Sequence, residues 1–526
     1  MKPSDSSPAT VHNEDHDPLP STGNGPPEAQ PQRSIQWAQA LVLAALYSFP
    51  VFQCLRTANA ADPDVWWHLR TAEWILQHGA VPHTDPFSMF GAGKPWAAYS
   101  WLFELLIFQL FRWLGLVGMV VYTTGMVVSI AVVLHRLIRR LQSDFTIAVL
   151  LTLVAALSMY RLYTPRPWLF TILFFVLELD VLMQARKSGK IRELVWLPVI
   201  FALWANLHIQ FIDGLILLSI ALTESLLARR WSAIHTRLRP GWVCGVSLAC
   251  VLATLVNPYG WRIYQAAYDL AGQLGTVSQV TEFQAMPFRG FDNWFVLLLA
   301  LGAVGVLARV RRFALFEVGL LAFAILVSFR SQRDVWVVAA AASAILASGL
   351  PGNSENRLQL KAIYAPLVAA IMCLVVWLGF RLLDVNNARL RVKLAEAMPV
   401  RAVEVVKEKG WSGPLYNDFD WGGYLIWALR LPVSIDGRTN VYGDERLNRS
   451  YAAWNAQPGW ASDPDLQKAN LIIAPFNPPL TQLLRMDPRF EVGYEDKLAV
   501  VFIARDSSQS KAAQGSGAPD SMARPH

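Results

Sequence analysis

Charge is scarce in this sequence. Asp, Glu, Lys and Arg make up 16% of its 526 residues, against about 25% in ordinary soluble proteins. That deficit excludes a string of solvated globular domains, the reading that length alone would suggest. Cysteine is also sparse: Cys54, Cys244, Cys250 and Cys373 are the four present, and each falls inside an apolar run. No disulfide framework and no metal-ligand spacing follow from them. There is no internal repeat, no glycine-rich phosphate loop after any candidate strand, and no basic stretch leading into an apolar one near the amino terminus. The last absence argues against a cleaved signal peptide.

The residues that are plentiful agree with each other. Hydrophobic residues account for 54% of the chain and tryptophan for 21 positions, and tryptophan concentrates at membrane–water interfaces. A helix needs about 20 apolar residues to cross the hydrocarbon core. Eleven candidate spans result, at 35–55, 115–135, 145–162, 167–185, 193–208, 211–228, 241–257, 293–308, 314–329, 333–349 and 362–380. The net charge of +7 comes from Lys and Arg clustered between these spans, which is a topology signal and not a nucleic-acid site. Residues 1–33 and 507–526, rich in small, polar and proline residues, read as disordered tails.

The apolar stretch Ser100–Trp113 decides orientation, because every later loop inverts if it crosses. With it lying at the interface, the loops His135–Arg140, Arg186–Arg192, Arg229–Arg239, Arg309–Arg312 and Arg357–Lys361 carry sixteen Lys and Arg residues and fall on the cytoplasmic side. The amino terminus is then cytoplasmic and the segment beyond 381 extracytoplasmic. The loop 56–113, the Arg161–Trp168 turn, Asn206–Gln210, Asn257–Asp292 and Phe329–Asp334 share the outer face. The organisation is thus an all-α membrane domain over 34–380 with its first outer loop at 56–113, followed by a small α/β domain over 395–506. Within that domain Gly413–Asn417, Pro432–Asp436, Leu471–Ala474 and Ala499–Ala504 read as strands, and Glu404–Lys409 and Leu480–Met486 as helical.

The densest chemistry lies in Ala61–Ser88. Asp62, Asp64 and His68 flank the pair Trp66–Trp67, and Asp64 and His68 share a face if a helix opens near Val65. Asp64 can simply cap that helix. Alternatively, a carboxylate there can deprotonate an acceptor hydroxyl or help hold a divalent cation. The indoles can stack on a sugar or anchor at the headgroups. Arg161 and Arg166, around a Pro-x-Pro turn, and Arg330 and Arg333 at a similar outer position either snorkel to the interface or grip a lipid phosphate. Asn206 and His208 at a span end are packing residues or ligand contacts. Glu104 and Glu282 are possible second carboxylates. Glu178 and Asp180 are expected to pair with Arg186 or Lys187. In the tail domain Asp418, Asp420, Asp436, Arg438 and Asp444 invite a sugar or metal site, but turn chemistry accounts for most of them.

The run Pro63-Asp64-Val65-Trp66-Trp67-His68-Leu69-Arg70-Thr71, then Gly79, then Asp85-Pro86-Phe87-Ser88, resembles the first outer loop of the glycosyltransferase C superfamily of membrane enzymes. It is similar in layout to oligosaccharyltransferase catalytic subunits and closer to the dolichyl-phosphate-mannose and aminoarabinose transferases. The resemblance extends to Leu203-Trp204-Ala205-Asn206-Leu207-His208, to Asn257-Pro258-Tyr259-Gly260 and to the order of spans through about residue 380. It implies a bundle of about eleven transmembrane helices in the inner membrane of a bacterium. It also implies sugar transfer, with inversion, from a polyprenyl-phosphate-linked donor to an extracytoplasmic glycan, lipid or protein. Asp64 inherits the catalytic carboxylate role, with Asp62 and His68 beside it. Trp66, Trp67, Arg161, Arg166, Asn206, His208, Glu282, Arg330 and Arg333 become candidate substrate contacts. Oligosaccharyltransferases carry an acidic pair in the second outer loop, whereas Arg161-Leu162-Tyr163-Thr164-Pro165-Arg166-Pro167-Trp168 holds no acid. No cofactor is therefore implied with certainty, a divalent metal stays open, and no nucleic acid is expected. A transporter or lipid flippase is the alternative function; it would want acidic groups at mid-membrane or paired broken helices. A non-catalytic scaffold is the third.

Overall fold

The structure is a computed structural model that describes residues 29–58, 62–234, 236–273, 279–309, 314–358 and 364–505. The tail expected over 507–526, most of the tail expected over 1–33, and parts of the basic loops at 309–312 and 357–361 lie outside them. The helices run in the order α1 Ala29–Thr57, α2 Val65–His78, α3 Trp101–Leu114, α4 Leu116–Leu141, α5 Phe145–Ser158, α6 Trp168–Ser188 and α7 Leu197–Leu207. Then follow α8 Phe211–Leu227, α9 Pro240–Thr254, α10 Arg262–Ala271, α11 Phe291–Arg309, α12 Leu315–Arg330, α13 Val335–Gly349 and α14 Ala365–Leu382.

A helix occupies each of the eleven expected spans. By length and composition five of them, within α1, α4, α6, α11 and α14, are long and apolar enough to cross a membrane, and α5 and α9 are shorter apolar helices. The bundle centre is α13, where thirteen of fifteen residues are buried around an alanine-rich stretch. Small side chains there let α5, α11 and α12 approach closely. By contrast α14 has no buried residue and lies along α1 at the periphery, with Gly379 opposite Leu55.

Helix geometry gives Asp180 and Arg186 each its partners inside the bundle, while the Glu178 carboxyl has no hydrogen-bond partner among the described residues. Positions 178 and 180 on α6 point about 200° apart, so they cannot share one arginine. Asp180 meets Arg136 and Arg140 of α4, at 3.2 and 2.9 Å. Glu178 packs on the other side, against Gly214 of α8. The expected pairing of either with Arg186 or Lys187 is therefore corrected. Arg186 instead forks between Glu224 of α8 (2.6 and 2.8 Å) and Glu317 of α12 (2.7 and 3.1 Å), with its guanidinium 4.2 Å from the Phe316 ring centroid.

Helices α2 and α3 belong to the first long loop and pack on each other. Gly115, with φ 65°, turns the chain from α3 into α4. That conformation suits glycine, and Asn387 closes over it.

The carboxy-terminal part continues as α15 Asn387–Ala397, α16 Val400–Lys409, β1 Leu415–Asn417, α17 Phe419–Leu429, α18 Thr439–Trp454, α19 Pro464–Gln467, β2 Leu471–Pro475, α20 Pro479–Met486, β3 Phe490–Glu495 and β4 Ala499–Ala504. The sheet order is β1-β2-β4-β3, with β1 parallel to β2 and the other pairs antiparallel. Three of the four expected strands form. Pro432–Asp436 does not, because its backbone is shared between two partners. Val433 N donates to Phe87 O and Val433 O accepts from Met89 N, both in the first loop, while a single bridge reaches Leu415. The unexpected strand β3 is a solvent-facing edge interrupted by a bulge at Gly493, which removes the alternation that marks a strand. The sheet's face toward the bundle joins the same hydrophobic core as α2, α3 and α17.

Replacing Arg186 by Met should leave Glu224 and Glu317 without their cation. A loss of about 3–5 kcal/mol of stability is expected, readable as a lowered midpoint of thermal unfolding in detergent.

Candidate active site

The site forms where α2 begins. Asp64 occupies the N-cap position of α2, yet its side chain makes no capping hydrogen bond, so capping does not explain it. Its carboxylate instead takes an ion pair from Arg166 Nη1. Asp62 meets the same guanidinium, with Oδ1 2.6 Å from Nε, and accepts from the Asp64 backbone N–H at 3.1 Å. Arg166 is thus held between two carboxylates of the first loop, with its Cζ 5.1 Å from the Trp168 ring centroid. It stands in the turn between α5 and α6, where Thr164-Pro165-Arg166-Pro167 directs it inward just before Trp168 opens α6.

Burial raises the Asp64 carboxyl to about 6. Arg166 pulls it down, while Asp62 and Glu282 push it up, and the loss of water outweighs the cation. Against the Arg166 guanidinium's own burial, Asp62 and Asp64 hold it above its ordinary value.

One helical turn on, His68 Nδ1 and Glu104 Oε1 of α3 lie 3.1 Å apart with both side chains buried. Burial lowers the imidazole well below its usual value and raises the carboxyl well above its own. Both shifts disfavour the charged forms of the pair. His208 Nδ1 shares a 2.8 Å hydrogen bond with Thr171 Oγ1, which also accepts from Trp204 Nε1 at 2.9 Å.

Two adjoining cavities open on Asp64. The smaller is lined by Asp64, Trp67, His68, Glu104, His208 and Arg333 among others. The larger, of about 420 Å³, is lined by Asp62, Asp64, Arg161, Arg166, Glu282 and Arg333 together with residues of α17 and α18. Arg333 Nη1 stands 3.7 Å from Glu282 Oε1 and its Cζ 4.4 Å from the Phe283 ring centroid. Arg161 is half exposed and 3.1 Å from Asp292 Oδ2.

The structure gathers nine of the twelve candidate residues around these cavities: Asp62, Asp64, Trp67, His68, Arg161, Arg166, His208, Glu282 and Arg333. Trp66, Asn206 and Arg330 are elsewhere. Asp64, Trp67 and His68 share one face of α2, whereas Trp66 turns about 100° away to pack edge-on against Tyr424 of α17. The Asn206 carboxamide accepts from Trp101 Nε1 (2.8 Å) and donates to Ala202 and Val256 carbonyls (both 2.7 Å), which fastens α7 to α3 and to the end of α9. Arg330 ends α12 in an exposed position, while the short turn after it brings Arg333 inward.

Part of the site comes from the carboxy-terminal segment, where Asp436 and Arg438 are named from the sequence but most such residues are ascribed to turn chemistry, and Gly437 is not singled out. Gly437 lies so close to Asp64 that an added Cβ would overlap the carboxylate. Its place is fixed by Arg438, which is 1% exposed and bridges two buried acids. Nε and Nη2 donate to Asp436 at 2.8 and 2.7 Å, and Nη1 donates to Asp85 of the first loop at 2.5 Å. Tyr442 O–H closes the cluster on Asp436, and Trp96 and Phe87 flank the guanidinium, ring centroids 4.8 and 5.2 Å from Cζ. The Asp436-Gly437 pair does look like a turn in the sequence; only its partner Asp85, 353 positions away from Arg438, reveals the second role.

Among the described residues no three His, Cys, Asp or Glu side chains group as metal ligands. Asp62 and Asp64 both turn to the Arg166 guanidinium, whose charge fills the place a divalent cation would need. The donor set does not fit a divalent-metal centre, and the chemistry of the site is derived from its own side chains.

No family model matches the sequence, and no curated protein matches it. Solved structures do. The fold is similar to the archaeal oligosaccharyltransferase AglB from Archaeoglobus fulgidus in complex with an inhibitory peptide and a dolichol-phosphate. The TM-score is 0.53 at 12% identity, over 85% of this chain and 70% of that one. The apo form of the Archaeoglobus fulgidus oligosaccharyltransferase gives 0.50 at 12% identity and the same coverage. ArnT from Cupriavidus metallidurans bound to undecaprenyl phosphate gives 0.45 at 13% identity, over 88% of this chain and 97% of that one. The likeness is one of fold, shared with the archaeal oligosaccharyltransferase.

Gly437→Ala should crowd Asp64 without touching the helix bundle. If Gly437 sets the geometry there, activity falls about 10²-fold while the unfolding midpoint stays near that of the wild type. Arg438→Met strands Asp85 and Asp436, and a loss of about 3–5 kcal/mol in unfolding stability is expected.

Proposed function

We propose that the chain is a bacterial inner-membrane glycosyltransferase that moves a sugar from a polyprenyl-phosphate-linked donor to an extracytoplasmic acceptor. The observation that carries the reading is Asp64. It is a carboxylate largely withdrawn from water and raised to about 6, opening on a cavity of about 420 Å³ that three arginines line. It stands on a glycosyltransferase C fold, one of whose solved examples holds a dolichol-phosphate.

A base poised about one unit below neutral is mostly ionised at pH 7 yet still accepts a proton readily. Asp64 takes the proton of the acceptor hydroxyl as that oxygen attacks the anomeric carbon. The bond from the anomeric carbon to the phosphate oxygen breaks, and attack from the opposite face inverts the centre. Negative charge grows on the departing lipid phosphate. Arg333 and Arg161 face the cavity and neutralise that charge. Arg166 is engaged by Asp62 and Asp64, and its part is to hold the base in place and keep its pKa from rising further. His68 and Glu104 back α2 as a buried, hydrogen-bonded pair.

Topology supports the outer-face placement. Helix α3 packs on α2 within the first long loop. Leaving it at the interface puts the Lys- and Arg-rich loops in the cytoplasm and the cavities, with the carboxy-terminal segment, outside. Eleven crossings follow.

Asp64→Asn should lower transfer by about 10²–10⁴-fold in proteoliposomes with insertion and unfolding unchanged. Retained transfer in that variant removes Asp64 from the mechanism. The pH profile carries a second test. Because the base must be ionised, the wild-type rate should fall as pH drops through about 6. Arg333→Ala should lower kcat more than it raises the donor KM, because the charge that it neutralises grows as the phosphate departs.

A further inference from the structure

A third cavity, of about 380 Å³, lies in the carboxy-terminal segment between the start of α17, the end of α18 and the turn leading into α20. Its volume falls within the roughly 300–1,000 Å³ of small-ligand sites. Phe419 and Tyr451 line it, and the same two residues line the larger cavity on Asp64. Their ring centroids are 6.0 Å apart with planes inclined by 41°, so they form a shared wall between the two spaces. Trp454 forms a third aromatic surface. It is stacked on Tyr416 at 5.5 Å and 6% exposed, with no hydrogen-bond partner for its buried indole N–H among the described residues.

The polar lining consists of Asp418, Ser450, Asn455 and Asn477, and no Lys or Arg takes part. Asp418 Oδ1 accepts from the Asp420 N–H at 3.0 Å, which leaves the second oxygen for another donor. Asn455 donates to the Tyr451 carbonyl at 2.8 Å, which leaves its own oxygen as an acceptor. Burial, with Asp420 beside it, raises the Asp418 carboxyl to about 7, so the lining offers an anion no cation and a neutral ligand a hydrogen-bonding group. Flat aromatic faces ringed by acceptors and carboxamides suit a neutral ligand that combines C–H faces with many hydroxyl donors.

We infer that this cavity is an acceptor subsite that takes a neutral saccharide unit and feeds the adjoining hydroxyl toward Asp64 past the Phe419–Tyr451 wall. The inference deepens the glycosyltransferase reading and rests on it for the word acceptor; the saccharide binding itself does not.

The test is direct binding, independent of turnover. Full-length protein in detergent is titrated with neutral di- to tetrasaccharides of hexoses and N-acetylhexosamines and followed by saturation-transfer NMR. Binding is expected to the wild type and, undiminished, to Asp64→Asn. Asn477→Ala, and Trp454→Phe, which keeps an aromatic ring and removes the N–H, should each weaken it about fivefold or more. The unfolding midpoint is expected to be unchanged in Asn477→Ala and lowered in Trp454→Phe, whose site is buried. Absence of binding to the wild type overturns the inference. So does binding that neither variant affects, or capture of an uncharged peptide in place of the sugars. Loss of the catalytic reading looks different: Asp64→Asn would retain transfer while saccharide binding stayed sensitive to Asn477.

Discussion

A buried guanidinium must have carboxylates, and the site is built on that requirement. Desolvating an arginine costs several kcal/mol unless it is paired and hydrogen-bonded. Arg166, with its side chain 12% exposed, is compensated by Asp62 and Asp64, which bind a turn between two bundle helices to the first long loop. The pairing is unequal in effect. Two acids share one cation inside a poorly solvated space, so one of them, Asp64, keeps a pKa of about 6. Stability and reactivity thus come from one arrangement. The cation that makes burial of the loop tolerable is also the one that keeps Asp64 from becoming a permanently protonated acid.

The same solution recurs at the second covering element. Arg438 is buried between Asp85 and Asp436, and again one acid comes from the first loop. Backbone hydrogen bonds of Val433 with Phe87 and Met89 run alongside. The first loop is therefore clamped from the bundle side by Arg166 and from the carboxy-terminal side by Arg438, and Gly437 is delivered against Asp64 between the two clamps. Glycine is required at this point because of close approach and not because of its backbone angles.

Much of this is legible in the sequence, for reasons that are physical. Hydropathy alone places helices, so each of the eleven predicted positions holds one, and five of these are long and apolar enough to cross a membrane. Asp62, Asp64 and His68 stand out because polar groups next to an apolar span need a reason. Helix periodicity alone puts Asp64 and His68 on one face. What periodicity does not settle is which of Trp66 and Trp67 faces the cavity, since that depends on where α17 docks. Asn206 resembles a ligand contact in the sequence because its partners, Trp101 and the Val256 carbonyl, are distant along the chain. Pro432–Asp436 reads as a strand for its β-forming residues, and fails to become one because the first loop captures half of its backbone.

The sequence by itself determined that this is a membrane chain with its unusual polar groups in a few loops, because transfer free energies are local and additive along a helix. It also determined that Asp64 opens a helix, through the residues around it. Only the tertiary structure decided that Asp64 is not a cap but the partner of Arg166, and that Arg438 with Asp85 closes the site from a segment more than 350 residues away. Those outcomes depend on desolvation and on pairing across distant elements, and burial is a property of the packed chain, not of any stretch of it.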